Sequence, residues 1–374
     1  METQNPSKPI VGFSTIRPTF DQKPQETALF AELREKVEAE IARIPKLEWQ
    51  LYLKAILFPV VYFGIYFFAL SVSSYWQFLG LYAILGWMVV LIFLNLLHES
   101  AHDNVFPWKW MNNLYLHFFD LIGANSYLWK LRHVVFHHNF PNVMGWDPDI
   151  EKSDFLKVHP EDQQKRIKKN KTWIFFLYPF FLLNWFLFRD FKDFFNRSTI
   201  VRKLGPIPTK EYLKLFLFKF AFIGYMVLIP KWLTDFSLGQ ISLALLVFFL
   251  VAGTHALVVL LPPHVNTKND FATTNSNGKL PYSWFVHQLA TTNDVDGRNW
   301  YFKFVMGNFN CHIAHHLFPK ISYLYADKLT DIIRDFCREK NLPYKSISLG
   351  SALWEHFVLI KNNGKLVDIW DEDM

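Results

Sequence analysis

Four stretches of this chain are almost continuously apolar, at residues 51–72, 76–97, 213–229 and 239–261. Each is long enough to cross the ~30 Å hydrocarbon layer of a bilayer as a helix. Two other apolar segments differ. Residues 111–124 are too short to cross and predict a helix lying along the membrane interface, while 173–188 are interrupted by Pro179 and Asn184. Residues 27–43 carry charges at helical spacing ahead of the first apolar run. Residues 1–27, rich in Pro, Thr, Gln and Ser, predict a mobile tail without catalytic residues. Neither an internal repeat nor a low-complexity tract interrupts this pattern. The predicted fold class is all-α and integral to the membrane: four transmembrane helices, interfacial or re-entrant helices, and a helical cap, with residues 28–374 as one domain.

Composition agrees with that reading. Hydrophobic residues make up 51% of the 374 positions and aromatics 18%, with 39 Phe; the continuity of the runs assigns this excess to a bilayer rather than a soluble core. The net charge of +6 resides in loops flanking apolar segments, which points to cytoplasmic loops and removes nucleic acid as a partner. No cleavable leader is predicted, because the first fifty residues are polar and charged. Cys311 and Cys337 lack Cys-x-x-Cys spacing, so neither a disulfide framework nor a thiolate zinc site is suggested.

The chemistry is concentrated in histidine. The first box is His98-Glu99-Ser100-Ala101-His102-Asp103, directly after the second apolar run. On a helix, positions i and i+4 share a face, so His98 and His102 point at one metal. In the second box, Arg132-His133-Val134-Val135-Phe136-His137-His138-Asn139, His133 and His137 share a face and His138, about 100° round the helix, reaches a second metal. The third, His312-Ile313-Ala314-His315-His316-Leu317-Phe318-Pro319, repeats the logic at i, i+3 and i+4. Eight of the 14 histidines fall in these windows, where composition alone places roughly 0.6. A lone histidine on an apolar face is more often a satisfied core residue; three clusters at membrane-helix ends mark function. Eight or nine imidazoles exceed a zinc site and suit two metals with open positions.

Residues that share a metal site lie on one side of the bilayer. Two spans, joined by Ser73-Ser74-Tyr75, return the first box to the side of the amino terminus. Three apolar segments then separate boxes two and three, and three crossings would split the site. Basic runs flank 173–188 on both sides, at Lys165–Lys171 and from Arg189 to Lys203, so this segment is predicted to be re-entrant or interfacial. The amino terminus, the boxes and the carboxyl terminus are then all cytoplasmic.

The three boxes, with Gly145-Trp146-Asp147-Pro148-Asp149-Ile150 and His315-His316-Leu317-Phe318-Pro319, resemble those of the membrane fatty acid desaturase and hydroxylase superfamily over residues 50–360. The resemblance implies a non-haem di-iron centre, with His98, His102, His133, His137, His138, His312, His315 and His316 as ligands. A ninth ligand is expected between boxes two and three: His264, at the exit of the last span, is preferred, His287 is a substitute or supporting residue, and His255 lies deeper in the membrane. Glu99, Asp103, Asp147, Asp149 and the amides of Asn139, Asn142, Asn308 and Asn310 are placed to orient the ligands. The layout after box two and His287-Gln288-Leu289-Ala290-Thr291-Thr292 resemble front-end desaturases. Box three resembles the methyl-end group, and box two has one residue more than that group's His-x-x-His-His, so the double-bond position is unassigned.

The implied activity is O2-dependent dehydrogenation of a fatty acyl chain, linked to coenzyme A, a carrier protein or a membrane lipid, giving a cis double bond. An acyl tunnel lined by Trp129, Trp284, Trp300 and Phe side chains is expected. No haem, flavin or iron-sulfur motif is present, so electrons come from a separate ferredoxin or cytochrome-type donor, for which the basic loops offer a docking face. Two rivals remain. The same iron site supports a lipid hydroxylase or ketolase, and His98-Glu99-x-x-His102 alone matches a membrane zinc metalloprotease.

Overall fold

The computed structural model describes residues 16–150, 158–160 and 172–363. Pro24 opens α1 (Pro24–Ile41), and two long apolar helices follow, α2 (Trp49–Ala69) and α3 (Tyr75–Ala101). The amphipathic α4 (Lys109–Leu121) and the short α5 (Ser126–Lys130) lead into a π-helical turn, Leu131–His137. Three more long apolar helices come next, α6 (Trp173–Leu204), α7 (Thr209–Leu233) and α8 (Leu238–Leu260). A carboxyl-terminal cap holds α9 (Trp284–Thr291), α10 (His312–Leu317), α11 (Ala326–Glu339) and α12 (Leu349–Asn362). Strand among the described residues is confined to one parallel pair, β1 (Asp294–Asp296) with β2 (Ser346–Ser348). Helix is what lipid requires, since every backbone polar group there must find its partner within the protein.

Among the described residues, five helices are thus long and apolar enough to cross a membrane, one more than the four expected. The extra one is α6, which contains residues 173–188 and continues in helical form to Phe195. Its early part packs near the end of α8, with Ile174 in one cluster with Leu257, Leu261 and Val265. Its middle reaches Phe249 through Phe186, at a ring separation of 5.3 Å. Its later part meets box two: Arg132 pairs with Asp193 at 2.7 Å, and Lys203 donates to the Gly145 carbonyl at 2.6 Å. Both ends of α6 therefore touch the histidine end of the bundle.

The central helix is α3, with 67% of its apolar window buried against 22% for α2 and 17% for α7. Glycine allows its close packing. A Cβ on Gly86 would lie 2.2 Å from the Phe248 carbonyl oxygen, and one on Gly253 would lie 2.1 Å from that of Pro179, so α8 is gripped by α3 on one side and α6 on the other. A π turn in α7, Gly224–Leu228, shifts its hydrogen-bond register, and the hydroxyls of Tyr66 and Tyr82 donate to the Tyr225 and Met226 carbonyls at 2.5 and 2.7 Å.

The cap has its own core, in which Leu33 and Val37 of α1 pack with Phe285, Ile313, Leu317 and Phe336. Within the segment predicted as a tail, helix begins at Pro24, and Thr19 exchanges backbone hydrogen bonds with Gly278 and Leu280 at 2.9 and 2.8 Å. Residues 1–15 and 165–171 lie outside the described residues.

Candidate metal centre

Box one ends α3. A π turn at Phe93–Leu97 precedes His98, and the helix stops at His102, followed by Asp103 in the left-handed region at φ 64°. Box two rides the π turn Leu131–His137, His264 follows α8, and box three forms α10. The bundle and the cap bring the nine side chains together as two groups. His98, His102, His133, His138 and His315 form one; His137, His264, His312 and His316 form the other.

This sorting differs from the α-helical expectation for box two. His133 and His137 do not share a metal group; His138 joins His133, and His137 crosses to the other. The cause is the π turn, whose i→i+5 register places residues five apart above one another, and the His138 N–H duly bonds to the His133 carbonyl at 3.0 Å. Asn139 closes the turn by donating its side-chain amide to the Val134 and Val135 carbonyls at 3.4 and 2.9 Å. In box three, His312 and His316 share a group as i and i+4, and His315 joins the other.

The nitrogen geometry fits metal. His133 Nε2 lies 3.0, 3.2 and 3.1 Å from the Nε2 atoms of His98, His102 and His138. His264 Nε2 lies 2.8, 3.0 and 3.1 Å from those of His312, His316 and His137. A neutral ring nitrogen is either one donor or one acceptor, so three such approaches to one atom are not three hydrogen bonds. Two nitrogens each about 2.1 Å from a metal, at right angles, are about 3.0 Å apart. Burial, and then the neighbouring imidazoles, holds the pKa of His133, His138, His315 and His316 well below the ordinary value, leaving the rings neutral and able to coordinate.

Outward-facing nitrogens find acceptors on the second group. His137 Nδ1 is 3.1 Å from both Asp147 oxygens and 3.6 Å from Asp149, His316 Nδ1 is 3.0 Å from Gln288 Oε1, and His264 Nδ1 is 3.2 Å from the Thr291 carbonyl. These bonds fix the tautomer that aims Nε2 inward. In the first group, His98 Nδ1 lies 3.6 Å from Glu99.

Several expected supporting residues have other partners. Asp103 pairs with Lys320 at 3.1 Å, Asn308 donates to the Tyr323 carbonyl at 3.0 Å, and Asn310 donates to the Val295 and Gly297 carbonyls at 3.0 and 2.9 Å. Asn142 holds the His264 carbonyl at 3.0 Å, tying box two to the ninth histidine. His287 turns away to the Pro141 carbonyl at 3.0 Å, and His255 stacks on Trp87. Sequence reasoning passed over Gln288 and Thr291, although their i, i+3 spacing puts them on one face of α9. It also missed Asp294, which caps α10 by accepting the Ile313 N–H at 2.8 Å.

An apolar cavity of about 70 Å³ adjoins the first group, between α3, α6, α8 and the end of α4. Trp129 and Phe93 form the shared wall; the Trp129 ring stacks on His133 at 4.6 Å. Trp284 and Trp300 do not line it: Trp284 packs on Phe30, and Trp300 is 67% exposed, because α9 and the turn after β1 face away from the bundle interior.

The family model for fatty acid desaturases matches residues 73–348, a span containing all nine histidines. The chain belongs to the fatty acid desaturase family. An acyl-lipid (8-3)-desaturase of Physcomitrium patens is 26% identical over 330 residues, covering 86% of this chain and 68% of the relative. An sn-1 linoleoyl-lipid 6-desaturase of Synechocystis is 27% identical over 269 residues, covering 70% of this chain and 75% of the relative. Its counterpart from Arthrospira platensis is 28% identical over 263 residues, covering 70% and 71%. This desaturase is accordingly an integral membrane oxidoreductase that acts on a fatty acyl substrate and uses a metal cofactor. Neither rival is favoured, and the protease reading leaves seven converging histidines without a purpose.

Proposed function

We propose that this desaturase inserts a cis double bond near the carboxyl end of a lipid-linked acyl chain, in an O2-dependent reaction at two irons held by His98, His102, His133, His138 and His315 on one side and His137, His264, His312 and His316 on the other. The observation that carries the metal assignment is the convergence of these nine nitrogens in sets of five and four, with no carboxylate in either set, beside an apolar cavity. The lipid-linked substrate and the position of the bond rest on relatives named for acyl-lipid and linoleoyl-lipid substrates and for positions 5 and 6.

The overall change is –CH2–CH2– + O2 + 2e⁻ + 2H⁺ → –CH=CH– + 2H2O. When bound, the irons supply the O2 activation that makes an unactivated C–H bond reactive. The chain's own residues supply the rest. The cavity wall at Phe93, Phe119, Trp129 and Phe249 excludes water and holds the methylene chain extended against the first histidine group. Asp147, Gln288 and the Thr291 carbonyl keep three rings in the ligating tautomer.

Electrons come from a separate ferredoxin or cytochrome-type protein. The proposed topology has four crossings, α2, α3, α7 and α8, with the amino terminus, boxes and carboxyl terminus cytoplasmic. In it α6 dips into the bilayer and returns, as supported by the contacts of both its ends with the histidine side. Of the basic residues considered for docking the donor, Arg189 is buried, and Arg202 and Lys203 bond within the protein, to Tyr212 and Gly145.

The test is expression in a host of defined lipid composition, with mass spectrometry of the fatty acids and metal analysis of the purified protein. New unsaturation near the carboxyl end, about two irons per chain, and loss of the product in His315→Ala are expected. A hydroxylated product, a single zinc, or an unchanged product from His315→Ala overturns the reading.

A further inference from the structure

Lys54 lies in the second turn of α2, where a lysine ordinarily extends its ammonium out to the lipid headgroups. Here the side chain turns inward. Its Nζ donates to Asn95 Oδ1 at 2.9 Å and to the Tyr323 hydroxyl at 2.7 Å, and sits 5.6 Å from the centre of the Phe304 ring. Asn95 is fully buried in the π turn before box one, and its amide donates to the Leu91 and Phe304 carbonyls at 3.0 and 3.1 Å. Tyr323 donates its backbone N–H to Glu99 Oε2 at 3.2 Å, and the Asn104 amide approaches the same oxygen at 3.3 Å. The other Glu99 oxygen is the one 3.6 Å from His98 Nδ1. A continuous chain of polar contacts thus joins the first spanning helix to box one through the cap, and the reaction outlined above gives it no role.

We propose that Lys54 is a positioning residue for box one: through Tyr323 and Asn95 it fixes the Glu99 carboxylate beside His98, and its positive charge offsets that carboxylate next to the five-nitrogen group. This rests on His98 being a metal ligand. Glu99 is 1% exposed, and in so dry a layer an unbalanced carboxylate acts strongly on a neighbouring cation centre. Without Lys54, the carboxylate favours the more highly charged, oxidised metal, and the centre becomes harder to reduce.

The experiment compares iron-loaded wild-type protein with Lys54→Met, Lys54→Arg and Tyr323→Phe, measuring iron per chain, the midpoint potential by spectroelectrochemistry, and kcat and KM. Lys54→Met is expected to retain iron, to show a lower midpoint potential, and to lose roughly tenfold in kcat with KM little changed. Lys54→Arg restores both quantities, and Tyr323→Phe, which cuts one of the two anchoring bonds, falls between. A wild-type midpoint and kcat in Lys54→Met overturns the proposal and leaves the iron site standing. A wild-type protein that takes up no iron overturns the metal reading instead. Should Lys54→Met fail to accumulate, Tyr323→Phe must lie below Lys54→Arg in midpoint; equal values overturn the proposal.

Discussion

In the four-nitrogen group, three of the four rings pass their outer N–H to a fixed acceptor 3.0–3.2 Å away: Asp147 for His137, Gln288 for His316 and the Thr291 carbonyl for His264. In the five-nitrogen group, His98 has a carboxylate only at 3.6 Å, His138 Nδ1 has no hydrogen-bond partner among the described residues, and His133 is held by the face of Trp129. The apolar cavity lies on the far side of the Trp129 and Phe93 rings from this second arrangement. Hydrogen bonds are directional and fix a ring's azimuth, whereas an aromatic stack lets it slide. One half of the site is therefore held in a set geometry by hydrogen bonds, and the other, nearer the apolar cavity, is held by ring contacts that leave it freer to adjust.

Substitutions separate the two modes of support. The largest effect is expected for Asp147→Ala, which removes the carboxylate of His137 and also the acceptor for the Asn142 and Asp149 N–H groups; metal affinity should fall about 100-fold, as read by metal content after dialysis against graded chelator. Gln288→Leu removes one acceptor and should cost about tenfold by the same titration. His287, behind the four-nitrogen group, gives a pH signature. Burial pushes its pKa down to about 4, so below the unfolded value of about 6.5 the unfolded chain binds a proton that the fold refuses, and stability falls as the pH is lowered through that window. Between pH 6.5 and 5.5 this amounts to at most about 1.4 kcal/mol, and His287→Gln should show a correspondingly smaller drop in melting temperature on acidification. The smallest metal effect is expected for Trp129→Ala: a few-fold in affinity, with a shift in the chain lengths desaturated. A loss there as large as that of Asp147→Ala would erase the distinction between the halves.

Box positions were legible because imidazoles repeated at i, i+4 spacing where apolar runs end serve little purpose except to bind metal, and His264 was legible from its depth at the end of α8. Their sorting into two groups was not. It depends on the π turn at Leu131–His137, and no residue in Leu131-Arg132-His133-Val134-Val135 announces a π register in advance. The supporting acceptors were half legible. Asp147 stands out by its charge, but Gln288 was overshadowed by His287 because residue type, rather than the phase of α9, guided the choice. The α6 segment shows the same limit: Pro179 suggested an interruption, yet the chain continues through it as a 3-10 turn into α-helix, a choice set by packing against Gly253.

One consequence concerns how the chain is made. Lys219, in the middle of α7, is buried with its ammonium 2.7 Å from Asp190 of α6, and it also holds the Gly123 carbonyl at 2.8 Å. A lone lysine at the centre of a membrane helix costs about 2.5–3.5 kcal/mol on insertion scales. The neutralising partner is synthesised first. Because α6 precedes α7 in the chain, the carboxylate that offsets Lys219 is already made when α7 is synthesised, and the pair lowers the cost of holding that ammonium inside the bundle.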